Sequence, residues 1–318
     1  MDAGILLLNI PFLIVSVLML WKGADWVVDS ASKIAHQFGV SDLVIGLTVV
    51  AIGTSAPEFA VTITAALTER SSISIGNVIG SNVFNLGFIL GGTACFRAIQ
   101  TNPRIVYRDG IFLTAVTVLL YFFLYGFSYL PTEGDLSRIE GAILVLILLL
   151  YLFFLFLNKE PLEEEIPKGN AVKKDWFFLI LGIASIVGGG HFLVESASAI
   201  AREFGVSDWV IGVTIVAAGT SAPELATSLT AMIKNRHGIA IGNLLGSDLF
   251  NLLGVLGLAS LLHPMVVEVA AHQGVLLLIG MVILVLVFMR THWRISRMEG
   301  AILVCLNSIR WCYDFLGK

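Results

Sequence analysis

From Ile143 to Leu157 every residue is aliphatic or aromatic. With the apolar residues just before it, this stretch is long enough to cross a lipid core of about 30 Å as a helix of roughly 20 residues. Nine further stretches share its character, so the expected spans are ten: 4–32, 41–67, 72–98, 106–127, 138–157, 176–201, 207–233, 238–262, 268–289 and 298–315. Membrane strands are excluded, because they would alternate apolar and polar residues over about ten positions. The expected fold class is an all-α membrane protein. A content of 57% hydrophobic and 13% charged residues, with a mean hydropathy of +0.91, lies outside the range of soluble domains.

The net charge of −4 is thinly spread, so no nucleic-acid partner is expected. The first run, Gly4 to Trp21, has neither a basic leader nor a small-residue cleavage site, and is read as a retained helix. Cys95, Cys305 and Cys312 lack metal-ligand spacing and are expected as packing residues.

One extended polar stretch interrupts the pattern. Residues 158–175, with Pro161, Pro167, Gly169 and three consecutive glutamates, read as a linker between a first half, 1–157, and a second half, 176–318. The halves are copies. PheGlyValSerAsp at 38–42 recurs at 204–208, and GlyThrSerAlaProGlu at 53–58 recurs at 219–224, both displaced by 166 residues. The same displacement carries Gly76, Asn77, Gly80, Ser81, Phe84 and Asn85 onto Gly242, Asn243, Gly246, Ser247, Phe250 and Asn251. GluGlyAlaIleLeuVal at 140–145 returns at 299–304. Five spans per copy is an odd number, which predicts inverted five-helix repeats. Alternate loops carry 13 and 5 basic residues, so the positive-inside rule puts the N-terminus outside and the linker in the cytoplasm.

Each copy places one carboxylate, Glu58 or Glu224, near the middle of an apolar span. A charge there costs several kcal/mol unless it faces a polar cavity, and such residues commonly mark ion pathways. Each follows a helix breaker: Pro57 and Pro223 have no N–H to offer the carbonyls of Gly53 and Gly219. Irregular backbone at that depth is tolerated where it is buried or lines a cavity. Carbonyls near Thr54 and Thr220, the hydroxyls of Ser55 and Ser221, and the two carboxylates would supply the all-oxygen shell that Ca²⁺ takes. The alternatives are a simple proline kink and a structural, neutralised glutamate.

In the third and eighth spans Gly76 and Gly80, like Gly242 and Gly246, are four apart, a spacing that admits close helix approach. Ser81 and Asn85, and Ser247 and Asn251, continue on the same face. Asn85 and Asn251 are read as ion contacts. For Asn77, Asn82, Asn243 and Asp248, ion contact and interhelical hydrogen bonding both stay open. Two carboxylates balance one Ca²⁺ or two to three Na⁺, and an empty doubly charged site resists occlusion, which would enforce exchange.

These paired motifs resemble the α-repeats of the calcium/cation antiporter superfamily, nearest its prokaryotic Na⁺/Ca²⁺ exchanger branch, along the whole ten-helix plan. The resemblance implies Na⁺/Ca²⁺ antiport, with Ca²⁺ held by Thr54, Glu58, Thr220 and Glu224. It implies Na⁺ sites built from residues matching Ala51, Ser55, Ser81, Ala217, Ser221 and Ser247, and spans 1 and 6 sliding on the other eight. An amide at Asn251, where some relatives carry aspartate, argues for K⁺ independence, and Asp248 is assigned no ion. The linker is too short for the regulatory Ca²⁺ domains of animal exchangers.

Asp25, Asp29 and Glu195 are read as interfacial groups or as guides for entering cations. Histidines 36, 191, 237, 263, 272 and 292 show no ligand spacing, so no metalloprotease chemistry, and no enzyme, is expected. No cofactor and no obligatory protein partner are expected, only Ca²⁺, Na⁺ and lipid. The rival readings are a H⁺-driven divalent-cation antiporter, which two buried glutamates would also serve, and a passive cation channel.

Overall fold

The computed structural model describes residues 3–126, 134–158, 173–205, 217–267 and 269–316. Twelve helical pieces and four short strands are seen among them. In chain order the helices are α1 (Ala3–Phe38), α2 (Asp42–Thr54), α3 (Ala56–Leu67), α4 (Ser71–Phe96), α5 (Ile105–Tyr125), α6 (Arg138–Leu157) and α7 (Lys173–Glu203). Then come α8 (Ala217–Thr220), α9 (Ala222–Ile233), α10 (His237–Leu262), α11 (Val269–Arg290) and α12 (Arg297–Leu316). Seven helices among the described residues are long and apolar enough to cross a membrane, and an eighth is counted if the bent pair α2 and α3 is one span. Most of the expected linker, residues 159–172, lies outside the described residues, as does 207–216 of the expected seventh span.

The chain divides into two compact units, and each draws on both halves of the sequence. One comprises Met1–Pro57 with Lys159–Asn243, the other Glu58–Asn158 with Leu244–Lys318. In the first unit α1 packs along α7, and their closest approach is made by glycine. A Cβ on Gly23 would stand 2.9 Å from the Gly182 carbonyl oxygen, and one on Gly182 would stand 2.8 Å from that of Gly23. Ser185 Oγ donates to the Met19 carbonyl at 2.9 Å across the same seam. Small residues let backbones approach where lipid supplies no hydrophobic drive for association.

Helix α1 runs to Phe38, beyond the expected end at 32, because its polar residues find partners. Ser32 donates to both Asp42 oxygens at 3.0 and 3.1 Å, and Lys33 pairs with Asp175 at 3.1 Å. The helix ends at Gly39, whose φ of +65° suits a residue without Cβ. Gly205, its copy after α7, repeats this with φ +76°.

In the second unit helix ends are tied by two antiparallel ribbons, β1 (Ile99–Gln100) with β4 (Arg294–Ile295) and β2 (Gly134–Leu136) with β3 (Met265–Val267). Sequence reading treated these as plain loops. Both copies of the GluGlyAlaIleLeuVal segment begin in a capping box. Ser137 N–H and Oγ each donate to Glu140 Oε2 at 2.7 Å, and Ser296 with Glu299 does the same at the same distances. On α6 the residues facing outward are Leu146, Leu149, Leu150, Phe153 and Leu157, while Asp109 of α5 is buried and accepts from Tyr151 at 2.8 Å. Apolar outside and polar inside is the pattern expected of a chain dissolved in lipid.

The cysteines correct one expectation. Cys305 and Cys312 are exposed on α12 and Cys95 is half-buried, so two of the three do not pack inside the fold. A thiol facing lipid is already in an apolar solvent and gains little from further burial.

Candidate functional site

The breaks fall where the sequence predicts. At Ser55 the chain leaves the helix with φ −79°, ψ 12°, and at Ser221 with φ −90°, ψ 8°. The bend between α2 and α3 is 52°. Prolines 57 and 223 stand in the first turns of α3 and α9, where their missing N–H costs nothing. Glu58 and Glu224 follow in the same first turns, where the helix macrodipole favours negative charge. Both are fully buried, as are Thr54, Ser55 and Ser221. Ala51 is buried in α2, Thr220 is half-buried and Ala217 opens α8.

Within the first unit the two copies of the motif touch. Ser55 Oγ donates to Glu224 Oε1 at 3.0 Å, and Thr54 Oγ1 donates to Asn243 Oδ1 at 3.0 Å. Asn243 in turn donates to Ser228 Oγ at 3.1 Å and to the Glu224 carbonyl at 3.5 Å. In the second unit Asn77 repeats this pattern, donating to Thr62 Oγ1 at 3.0 Å and to the Glu58 carbonyl at 3.4 Å. Asn77 and Asn243 thus act as hydrogen-bond anchors for the glutamate-bearing helices.

Ser81, Ser247, Asn85 and Asn251 are all buried in the second unit. Asn85 donates to Asp248 Oδ1 at 3.0 Å, and Asn251 donates to Asn82 Oδ1 at 3.0 Å. Sequence reasoning missed the backbone here. A wide π-helical turn begins at Asn85 (Asn85–Leu90), and its counterpart, Phe250–Val255, takes in Asn251. Such turns concentrate at functional positions. Nothing in side-chain periodicity announces them.

Gly242 meets the expected close approach, since a Cβ there would sit 2.5 Å from the Leu43 carbonyl oxygen. Around Gly76 and Gly80, apart from the chain neighbours and the adjoining backbone of the same helix, no atom of the described residues comes within 4 Å of a Cβ position. Residues 206–216, the second copy of 40–50, lie outside the described residues. Asp25 and Asp29 are ion-paired to Lys234, at 2.5 and 2.7 Å, and Glu195 lies 3.7 Å from His191. The first two therefore tie α1 to the end of α9. No cluster of three or more His, Cys, Asp or Glu suited to a metal occurs among the described residues.

The family model described as sodium/calcium exchanger protein matches residues 8–157 and 174–307. The sodium/calcium exchanger MaX1 of Methanosarcina acetivorans is 35% identical, over 93% of this chain and 95% of its own length. The inner membrane protein YrbG of Escherichia coli is 33% identical, over 93% and 92%. A solved structure of the sodium-calcium exchanger NCX_Mj superposes with a TM-score of 0.83 at 30% identity, covering 96% of this chain and 98% of that one. The apolar spans and these matches together make the chain a multi-pass membrane protein of the sodium/calcium exchanger family.

Proposed function

We propose that this protein is a secondary active antiporter that exchanges Na⁺ for Ca²⁺ around a site at mid-membrane depth. The observation that carries the reading is the hydrogen bond from Ser55 to Glu224: the broken helix of one copy meets the acidic residue of the other, as a shared oxygen site requires. Relatives named as sodium/calcium exchangers supply the ion pair. Ten helices in two inverted five-helix repeats, with the N-terminus outside and the linker cytoplasmic, remain the topology that parity and loop charge support.

In this reading Glu58, Glu224, Thr54 and Thr220 hold Ca²⁺. Ala51, Ser55, Ser81, Ala217, Ser221 and Ser247 contribute to Na⁺ binding, and Asn85 and Asn251 offer amide oxygens. Ca²⁺ takes six to eight oxygens at about 2.3–2.6 Å, and a mixed carboxylate, carbonyl and hydroxyl set meets that need. The two carboxylates would be neutralised by one Ca²⁺ or by Na⁺ ions. Occluding them empty would bury uncompensated charge, at a cost of several kcal/mol per ion. Only loaded states therefore cross readily, and exchange follows from the penalty on the empty site.

The test is radiolabelled Ca²⁺ uptake into proteoliposomes. An outward Na⁺ gradient is expected to drive uptake and a pH gradient alone to drive none. Uptake driven by pH alone would establish H⁺ coupling instead, and flux persisting without any counter-ion gradient would establish a channel.

A further inference from the structure

Four side chains on α4 and α10, all inside the second unit, form a relay that runs between the two copies. Asn82 Nδ2 donates to the Asp248 carbonyl at 3.1 Å, Asn251 Nδ2 donates to Asn82 Oδ1 at 3.0 Å, and Asn85 Nδ2 donates to Asp248 Oδ1 at 3.0 Å. Asn85 is 1% exposed and the other three are fully buried.

The orientation of an amide follows from its partners, and with Asp248 ionised the partners here leave no choice. A backbone carbonyl only accepts, so Asn82 must turn its NH₂ toward Asp248 and its oxygen toward Asn251. Asn251 must then offer its own NH₂ to that oxygen. An ionised carboxylate also only accepts, so Asn85 gives its NH₂ to the Asp248 side chain. On the amides, the atoms left over are Asn85 Oδ1 and Asn251 Oδ1. Both are buried and neither receives a hydrogen bond among the described residues. A bare buried acceptor is costly in a protein interior, and it is what a hard cation seeks.

We propose that Asp248 and Asn82 are positioning residues of the cation site, which hold the NH₂ groups of Asn85 and Asn251 so that both amide oxygens stay turned toward the ion. This rests on the reading above that Asn85 and Asn251 contact the cation. Asp248 governs the Asn85 arm through its carboxylate, and Asn82, anchored on the Asp248 backbone carbonyl, governs the Asn251 arm. Side-chain substitutions therefore break the two arms one at a time.

The experiment measures the KM and kcat of Na⁺-driven radiolabelled Ca²⁺ uptake in proteoliposomes of the full chain, with variants Asp248→Ala, Asp248→Asn, Asn82→Ala, Asn85→Ala and Asn251→Ala. Supporting partners of metal ligands are typically worth about 10–100-fold in affinity. Asp248→Ala, which frees Asn85, and Asn82→Ala, which frees Asn251, are each expected to raise the Ca²⁺ KM within about that factor. Asp248→Asn keeps an oxygen that accepts from Asn85, so its KM should return most of the way to wild type. A KM for Asp248→Ala within about two-fold of wild type, beside a raised KM for Asn85→Ala, overturns the relay and leaves the site intact. So does a loss of kcat with KM unmoved. Unchanged KM in both Asn85→Ala and Asn251→Ala overturns the site reading itself. If Asp248→Ala does not yield monodisperse protein, Asn82→Ala decides, and an unmoved KM there rejects the proposal.

Discussion

The two helices that carry the buried amides, α4 and α10, are alike in shape and unlike in charge. Asn77 and Asn243 make the same pair of bonds to matching partners, at 3.0 and 3.4 Å in one copy and at 3.1 and 3.5 Å in the other. Five residues further on, Asn82 faces Asp248, and each accepts one amide at 3.0 Å. An amide and a carboxylate are close to isosteric, so the acceptor survives the exchange, while the charge differs and Asn82 alone has a donor, given to the Asp248 carbonyl at 3.1 Å. A second asymmetry lies at the end of the glutamate helices: Lys234 pairs with Asp25 and Asp29, whereas the first copy has Thr68 at the corresponding position, bonded to its own helix at 2.8 Å. Duplication has therefore kept the geometry of the site while letting its electrostatics diverge.

Seven substitutions, in four sets, test how far that equivalence extends. The largest effect is expected from Glu58→Gln and Glu224→Gln, each of which should abolish Na⁺-driven Ca²⁺ uptake, a loss beyond the ~10–100-fold typical of supporting residues. If one of the pair keeps near-normal transport, the copies are not equivalent as ligands. Next, Asn85→Ala and Asn251→Ala should raise the Ca²⁺ KM by similar amounts, about 10-fold. A large disparity would mean that the charge on Asp248 reaches the ligands themselves. Asn82→Asp makes the two helices chemically alike; it keeps the acceptor for Asn251 but loses the donor to the Asp248 carbonyl. Its KM should rise only several-fold, roughly the low end of such effects, and a larger rise than for Asn251→Ala would break the comparison. The smallest effect belongs to the capping boxes. Ser137→Ala and Ser296→Ala should each cost about 1 kcal/mol of stability in detergent unfolding, with transport unchanged.

Much of this was legible in the sequence because lipid imposes simple rules. A continuous apolar run such as Ile143 to Leu157 has only one viable spanning conformation, and Pro57 and Pro223 lie two residues from the breaks at Ser55 and Ser221. The burial of Glu58 and Glu224 followed from their depth in apolar stretches. Polar partnerships were harder. Asn77 and Asn85 have the same side chain on one helix, yet one anchors a neighbouring backbone and the other leaves its oxygen bare, a distinction set by what lies opposite. The π-helical turns at Asn85 and Asn251 add a residue to a turn without disturbing composition, and so left no trace in periodicity. Helix α1 outran its expected end because Asp25, Asp29, Ser32 and Lys33 are satisfied by residues distant in sequence.

Equilibrium binding of radiolabelled Ca²⁺ to the purified protein, compared among the native chain, Glu58→Gln and Glu224→Gln, bears most directly on whether one acidic residue from each copy serves the same ion. A single class of Ca²⁺ site, displaced by Na⁺ and lost in either mutant alone, is the predicted result. Native affinity in both single mutants would contradict it.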